Sequence, residues 1–361
     1  MTAFFIILGA LALITFLFLQ QASFGKTPSG ERKALIFKST NYRAGIFENV
    51  EETKLMADDT SYVSMMKEYF STGINRNPTH PLPFIKTDLK SLPDKPLIIW
   101  FGHSSYLICI DGKNILVDPV LSRRASPVQY AGMKAYKGAD VFTADDFPPL
   151  DAIIITHDHY DHLDYLSITK LKGKTKHFYA PLGVGAHLEH WGVHSACVHE
   201  LDWWQSISIL SEMKLTATPA RHFSGRLFSR NKTLWCSYVL QSKNYKLFIG
   251  GDSGYDQSFK KIGDQYGPFD LVILEAGQYD VKWPQIHMQP EEAVQASIDL
   301  KGKILLPVHW GKFTLALHPW NEPVERIWKE SQKRNVTITT PMIGEAIALN
   351  GHYPSTPWWR S

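Results

Sequence analysis

The chain has 361 residues, so it can bury an extensive core, and its length alone suggests about two domains. Its 38 Lys and Arg residues nearly balance its 35 Asp and Glu residues, and the formal net charge of +3 argues against the concentrated basic face that nucleic-acid binding requires. The three cysteines have no Cys-x-x-Cys spacing, so they indicate neither a thiolate zinc knuckle nor a disulfide framework.

The first predicted element is an apolar run over residues 3–19, interrupted only by Gly9 and Thr15. Its length is near the lower limit of about 17 residues for a membrane-spanning helix. A cleaved secretory signal is the alternative, but no basic residue precedes the run, and Ala22-Ser23-Phe24 is a poor cleavage site. We therefore predict that residues 1–25 form an N-terminal hydrophobic helix that acts as a signal anchor or transmembrane segment.

The charges around this segment predict its orientation. Lys26, Arg32 and Lys33 follow it, whereas only the amino terminus precedes it. By the positive-inside rule, we expect a membrane-anchored protein whose catalytic domain is cytoplasmic.

Residues 26–94 are predicted to form a polar and irregular N-terminal extension. One helix is expected over residues 58–70, where Asp58 and Thr60 are candidate caps. Proline pairs such as Asn77-Pro78 interrupt any regular element after it. We find no recognisable chemistry in this extension.

A regular domain is predicted over residues 95–350, beginning with three strands. Leu97–Phe101 and Tyr106–Ile110 come first, and Asp111-Gly112 forms the turn into Asn114–Val117. The basic loop over residues 122–127 is either a solvated surface loop or a rim for an anionic substrate.

The strongest signal is the stretch that follows the apolar run Ile153–Ile155. Three histidines and three aspartates lie within eight positions there: His157, Asp158, His159, Asp161, His162 and Asp164. Burying such groups at the end of a core strand is costly unless they are paired or bound to metal. His157 and His159 project to the same side of an extended chain, and Asp161 and His162 lie where the next helix begins. This pattern suits a pair of zinc-like ions, whereas the alternative is a polar loop that happens to be rich in histidine.

Short apolar strands and helices alternate downstream, and no internal repeat is found. The predicted strands cover residues 177–180, 206–210, 214–219, 234–241, 246–250, 269–274 and 304–308, and the predicted helices cover residues 163–171, 183–191, 290–298 and 322–331.

Three further metal-type residues stand where predicted strands meet loops: His222, Asp252 and His309. Each is weak evidence alone, because Gly-Asp-Ser-Gly is often a turn and a lone histidine is often a structural residue. Together, and in this order after the central motif, they indicate further ligands on a rigid scaffold.

This order of ligands resembles the metallo-β-lactamase superfamily. The resemblance implies an α/β fold, a four-layer αββα sandwich that runs as one hydrolase domain. It assigns His157, His159 and His222 to a first metal ion and Asp161, His162 and His309 to a second, with Asp252 bridging both.

Several segments narrow the resemblance to the N-acylphosphatidylethanolamine-hydrolysing phospholipase D branch and its bacterial relatives. They are Trp100–Ser105, Asp118–Pro127, His159–Tyr165, Glu200–Trp204, Gly267–Leu271 and His287–Ala293. The chain departs from that branch in the more acidic segment Glu275–Asp280 and in its N-terminal apolar run.

The expected cofactor is two Zn²⁺ ions, with other divalent ions as alternatives, and a hydroxide bridging them would attack a phosphodiester. Asp161 would ligate one ion and orient the hydroxide, and Asp252 would offer one oxygen to each ion. His287 is a candidate for contacting phosphate or supporting the ligands, although core packing is also open. His103 is expected to support the ligands through hydrogen bonds.

The sequence therefore predicts a membrane-associated phosphodiesterase of phospholipase D type that acts on N-acylphosphatidylethanolamine-like phospholipids. The expected partners are a phospholipid or other phosphodiester and the membrane, with no nucleic acid, and the oligomeric state is left open. A lactonase or a soluble small-molecule phosphodiesterase on the same scaffold is the alternative, because such a metal site serves carbonyl and phosphoryl targets alike. A non-catalytic metal-binding protein would be expected to have lost ligands, whereas all seven positions are filled.

Overall fold

The structure is a computed structural model that describes residues 2–58, 60–69, 75–210 and 212–360. Its helices are α1 Thr2–Leu19, α2 Gly30–Ile36, α3 Tyr62–Tyr69, α4 Tyr165–Leu171, α5 Gly185–His190, α6 Ser258–Tyr266, α7 Pro290–Asp299 and α8 Glu322–Arg334. Its strands are β1 Tyr42–Arg43, β2 Ile46–Phe47, β3 Leu97–Trp100, β4 Tyr106–Ile110, β5 Lys113–Val117, β6 Arg124–Ala125, β7 Met133–Lys134, β8 Leu150–Ile154, β9 Thr175–Pro181, β10 Val198–Leu201, β11 Ser206–Ile209, β12 Met213–Thr218, β13 Gly225–Arg226, β14 Ser229–Arg230, β15 Ser237–Gln241, β16 Lys246–Ile249, β17 Leu271–Glu275, β18 Leu305–Val308 and β19 Ala346–Ala348.

The first large sheet has seven strands in the order β10-β9-β8-β5-β4-β3-β19. Strands β3, β4 and β5 are antiparallel neighbours, whereas β5, β8, β9 and β10 run parallel. The predicted turn at Asp111-Gly112 joins β4 to β5, and both residues have the positive φ angles, 48° and 68°, that a tight two-residue hairpin needs. The strand prediction at the start of the regular domain is therefore confirmed.

The second large sheet has six strands in the order β11-β12-β15-β16-β17-β18. Its first four strands pair antiparallel, and β16, β17 and β18 pair parallel. The carboxyl ends of β16 and β18 therefore point to the same edge of this sheet.

The two sheets pack face to face, with helices on the outside. One apolar cluster joins residues of the first sheet, such as Leu116, to residues of the second, such as Leu240, and it also takes in Ile168 of α4. A second cluster lies on the other face of the second sheet, where Phe248 packs with residues of α6, α7 and α8 such as Val294. Alternate side chains of one strand thus serve two apolar layers, and the predicted four-layer α/β sandwich is confirmed.

The N-terminal apolar run forms α1, and the side chains described from Phe4 to Leu17 are mostly exposed, with large residues between 47 % and 66 % accessible. Within the described ranges, no helix is both long enough and apolar enough to cross a bilayer. The prediction of a transmembrane segment is therefore not supported.

The structure differs from the predicted elements in a few places. The helix expected over residues 58–70 is the shorter α3, and residues 59 and 70 of that expectation lie outside the described residues. Helix α6 was not predicted, because Gly263 weakens its helical pattern. That glycine is required by packing, since a Cβ there would lie 1.9 Å from the Asp299 carbonyl oxygen. Strand β19 was also missed, because it exists only by pairing with β3, far away in the chain.

Candidate metal centre

All seven predicted ligands come together at the carboxyl ends of strands from both sheets. His157, His159, Asp161 and His162 occupy the loop after β8 in the first sheet. In the second sheet, the remaining three follow β12, β16 and β18: His222, Asp252 and His309. Because these strands end at the same edge of the sandwich, the loops that follow them bring side chains from distant parts of the chain together.

The first group contains His157, His159, His222 and Asp252, whose ligand-type atoms all lie within 4.8 Å of one another. His157 Nε2 is 3.0 Å from His159 Nδ1, and His222 Nε2 is 3.3 Å from the same atom. The three imidazoles thus converge on one point, and they are the histidines that the family resemblance assigns to a first metal ion.

The second group contains Asp161, His162, His309 and His103, again within 4.8 Å. His103 Nε2 donates to Asp161 Oδ2 at 2.8 Å, which is the supporting contact expected from the sequence. Ser104 Oγ lies 3.0 Å from His309 Nδ1, the same ring nitrogen that faces Asp252 Oδ1.

Asp252 lies between the two groups and turns one oxygen to each. Oδ1 is 3.2 Å from His162 Nε2 and 3.0 Å from His309 Nδ1. Oδ2 is 3.7 Å from both His157 Nε2 and His222 Nε2. This is the geometry of a carboxylate that can bridge two cations.

Two buried ligand-type atoms of this centre show whether its residues fit metal ions. His162 Nε2 and Asp252 Oδ1 lie 3.2 Å apart and are both buried, yet among the described residues neither makes a hydrogen bond of suitable geometry. Such atoms are costly to bury unless a cation or another group satisfies them. Imidazole nitrogens and carboxylate oxygens are ligands that zinc and related divalent ions accept, so the residues fit a metal centre.

Asp118 supports the ligands, although sequence reasoning assigned it no role. Its carboxylate is 1 % exposed and accepts hydrogen bonds from His162 Nδ1 at 2.8 Å, Thr156 N at 2.8 Å and Thr156 Oγ1 at 2.6 Å. The bond to His162 leaves the Nε2 lone pair directed at the centre. Only the parallel pairing of β5 with β8 brings Asp118, which follows β5, to the loop that carries His162.

Burial sets the charge state of the imidazoles. Burial lowers the pKa of His157 and of His222 well below the ordinary value, so both rings are neutral and can donate a lone pair. Burial also opposes a charged ring at His162, but the carboxylates of Asp252 and Asp161 outweigh it and raise the pKa of His162. A cation bound here competes with that proton for the same lone pair.

His287 lies beside the two groups, held by a carboxylate that the sequence did not assign. Its Nδ1 donates to Glu275 Oε2 at 2.8 Å, and its ring centroid is 5.0 Å from that of His222. Glu275 is 1 % exposed and also accepts the Ser253 N–H at 2.7 Å. Burial opposes the charged form, yet the Glu275 carboxylate outweighs it and raises the pKa of His287 to about 9. His287 therefore belongs to the site and not to the core alone.

A cavity of about 330 Å³ opens onto the centre. His159, Asp161, Asp252, His287 and His309 form its polar floor. Its apolar wall consists of Leu55, Met56, Phe223, Trp283, Ile286 and Leu315.

Arg230 also lines this cavity, whereas the basic loop over residues 122–127 contributes none of the described lining residues. The anionic-substrate rim considered for that loop is therefore not at this cavity. Arg230 belongs to a segment that the sequence did not single out.

The N-terminal extension takes part in the site, contrary to the expectation that it carries no chemistry. Asn49 Nδ2 donates to the His222 carbonyl at 2.7 Å, and Asn49 Oδ1 accepts the His222 N–H at 3.1 Å. Leu55 and Met56 form part of the cavity wall. Sequence reasoning missed these residues because only the tertiary fold brings them near His222.

Comparison with known proteins identifies relatives over most of the chain. The family model described as the beta-lactamase superfamily domain matches residues 113–310. The N-acyl-phosphatidylethanolamine-hydrolyzing phospholipase D 1 of Caenorhabditis elegans is 31% identical over 264 residues, covering 68% of this chain and 74% of that protein. An uncharacterized protein of Mycobacterium tuberculosis, Rv0906, is 41% identical over 334 residues. The match covers 91% of this chain and 89% of that protein.

Among solved structures, the metallo hydrolase Igni18 of Ignicoccus hospitalis superposes with a TM-score of 0.54 at 20% identity. The match covers 70% of this chain and 97% of that one. This likeness supports the fold.

Proposed function

This chain belongs to the metallo-β-lactamase superfamily, in the branch of the N-acylphosphatidylethanolamine-hydrolysing phospholipase D, and from this membership we propose that it is a two-zinc phosphodiesterase acting on N-acylated phospholipids. Metal-dependent hydrolysis is the chemistry of this family, and the donor set of the centre fits divalent cations. The finer assignments, two zinc ions and a phospholipid substrate, are the proposal.

The observation that carries the proposal is the position of Asp252 between two groups of ligand-type atoms. One carboxylate oxygen faces His162 and His309, and the other faces His157 and His222. Two divalent cations held by these residues would polarise a phosphoryl group and lower the pKa of bound water.

The protein's own residues would position the reactants. Asp161, fixed by His103, accepts a hydrogen bond from the attacking water and orients it toward phosphorus. Glu275 holds Nδ1 of His287, which leaves Nε2 as the ring nitrogen available to the phosphoryl oxygens. The P–O bond to the N-acylethanolamine then breaks, the alcohol leaves with a proton, and phosphatidic acid remains.

The cavity supports a substrate that is both anionic and apolar. Arg230 at its lining can pair with phosphate, and the wall formed by residues such as Phe223 and Trp283 can pack against acyl carbon atoms. We propose in addition that the exposed apolar helix α1 holds the domain at a membrane surface, with the domain on the cytoplasmic side.

The decisive experiment is incubation of the purified full chain with N-acylphosphatidylethanolamine vesicles, followed by mass spectrometry of the products. Zinc-dependent release of phosphatidic acid and N-acylethanolamine in equal amounts is expected, with none after removal of the metal by a chelator. His177→Ala, which changes a histidine outside the centre, is the matched control for His157→Ala. Absence of metal-dependent phosphatidic acid would overturn the proposal.

A second candidate is a soluble small-molecule phosphodiesterase or lactonase, and the size of the cavity favours it. At about 330 Å³ the cavity is near the lower end of ligand pockets and encloses a headgroup better than a whole diacyl lipid. Faster turnover of lactones or soluble phosphodiesters than of any phospholipid would select this candidate.

A further inference from the structure

The hairpin formed by β13 and β14 exposes two large apolar side chains at its tip. Phe228 is 85 % exposed and Leu227 is 43 % exposed. Leu227 also has a positive φ of 57°, a conformation for which turns favour Gly, Asn or Asp. Turn chemistry alone does not select Leu-Phe at this tip, and neighbouring exposed apolar residues are typical of contact surfaces.

The base of this hairpin is fixed to the metal-ligand loop. Arg226 is buried, and its Nη1 donates to the carbonyl oxygens of Asp158 at 2.8 Å and Leu163 at 2.9 Å. In return, Asp158 Oδ1 accepts the Gly225 N–H at 2.7 Å. The tip therefore projects from a rigid base next to the catalytic centre.

The hairpin also lies against the segment that leaves α1. Arg226 Nη2 donates to the Ser23 carbonyl at 2.8 Å. A small cavity of about 100 Å³ is lined by Leu19 and Phe24 on one side and by Leu227 on the other. The apolar tip and the apolar helix α1 are therefore neighbouring features of one surface.

The exposed charge of the hairpin is positive. Arg230 is exposed, Lys232 is half-buried, and Lys26 is exposed nearby, whereas Arg226 is buried at the base. Residues 225–233 contain no Asp or Glu. Arg230 lines the substrate cavity, so this positive charge extends from the hairpin to the cavity mouth. Apolar side chains flanked by cations are the pattern of segments that bind anionic lipid surfaces.

We propose that the β13–β14 hairpin docks on an anionic phospholipid bilayer, with Leu227 and Phe228 inserted beside α1 and Arg230 paired with lipid phosphates. Docking in this orientation places the cavity mouth on the lipid surface, so a substrate enters without crossing bulk water. The inference rests on the proposed function for the identity of the substrate, but lipid docking is measured independently of catalysis.

The test compares the full wild-type chain with Leu227→Ser/Phe228→Ser, by sedimentation with limiting vesicles of phosphatidylcholine and phosphatidylglycerol. We expect the double variant to bind about tenfold more weakly, because two apolar side chains no longer leave water. Arg230→Gln should weaken binding to these vesicles and leave binding to pure phosphatidylcholine unchanged. Helix α1 is present in the wild type and in every variant, so its contribution to vesicle binding is the same in each comparison.

Ile298→Ser is the matched control, since Ile298 is 38 % exposed on α7, on the outer face of the second sheet. Zinc content verifies the fold of each variant, and turnover of bis(p-nitrophenyl) phosphate verifies it further for the variants that keep Arg230. Equal vesicle binding by wild type and double variant, or no binding by wild type, would overturn docking. Normal docking without hydrolysis of any phospholipid would instead refute the proposed function alone.

Discussion

The carboxylate of Asp118 accepts a hydrogen bond of 2.8 Å from Nδ1 of His162, and both side chains are buried. Asp118 directly follows β5, and His162 lies in the loop after β8, the strand that pairs parallel with β5. This contact fixes which nitrogen of His162 can reach a cation. The supporting carboxylate is therefore as much part of the candidate centre as the seven candidate ligands.

Asp118→Asn should lower the affinity for zinc by about 10–100-fold, because His162 loses the acceptor that fixes its ring. Competition with a chromophoric chelator measures the change. Asp151→Asn is the control, since Asp151 is also buried but pairs with Lys176 and Asn114 away from the centre. Equal zinc affinity in Asp118→Asn and wild type would contradict this role.

From the proposed two zinc ions per chain, Asp252→Ala should reduce the content to less than one, because both groups lose a shared ligand. By contrast, His309→Ala and His222→Ala should each retain one ion. Inductively coupled plasma mass spectrometry of the purified proteins gives the ratios. The bridging role would be refuted if Asp252→Ala kept as much metal as either histidine variant.

Glu275→Gln should lower kcat about 10–100-fold at unchanged zinc content, because Glu275 orients His287 and lies outside both predicted ligand sets. If both residues act as one unit, Glu275→Gln/His287→Gln should be no slower than His287→Gln. Steady-state kinetics on one substrate provides the comparison. Additive losses in the double variant would show that the two residues act separately.

Lys312→Met should stabilise the protein more at pH 7 than at pH 10. Lys312 donates to the Val120 carbonyl, and burial lowers the pKa of Lys312 from 10.5 to about 8. The unfolded state therefore binds more protons between these values, so the wild type gains stability as the pH rises from about 8 to 10.5. The difference in the free energy of unfolding between Lys312→Met and the wild type should therefore shrink by about 3 kcal/mol over that range.

Urea unfolding at both pH values measures this difference, with exposed Lys170→Met as the control. Parallel pH profiles of wild type and Lys312→Met would contradict the assignment.

Asn49→Ala should destabilise the protein by about 1–3 kcal/mol, because both backbone groups of His222 lose their partner. Zinc affinity should fall as well, since His222 loses its fixed position. Thermal unfolding with and without zinc separates the two effects. Asn244→Ala, which removes an exposed contact to Asp111, should leave both quantities near wild type.

The sequence allowed most of the fold and the seven candidate ligands to be predicted, because both depend on local patterns. Apolar β-branched runs that stop at Gly, Asp or His mark the strands, and the same stops carry His157, Asp252 and His309. Asp118 and Glu275 also stand next to or within such strands, but a single carboxylate there has no distinctive local signal.

Other parts of the site could not be predicted, because only long-range packing creates them. Asn49 reaches His222 across 173 positions of the chain, and the wall residue Leu55 is contributed by a segment with little regular structure. The sequence around Phe228 shows only two apolar residues between basic residues, and this pattern does not predict an exposed tip. Its role as a contact surface becomes visible only when the structure places it beside α1 and the cavity.

The contact between Arg226 and the Ser23 carbonyl has a practical consequence for handling the protein. Trimming the first 25 residues to improve solubility would remove the Ser23 carbonyl and leave a buried guanidinium one acceptor short. The arginine's other two bonds hold the loop that carries His157, His159, Asp161 and His162. A shortened chain is therefore expected to lose metal as well as its apolar helix, and its inactivity would say nothing about lipids.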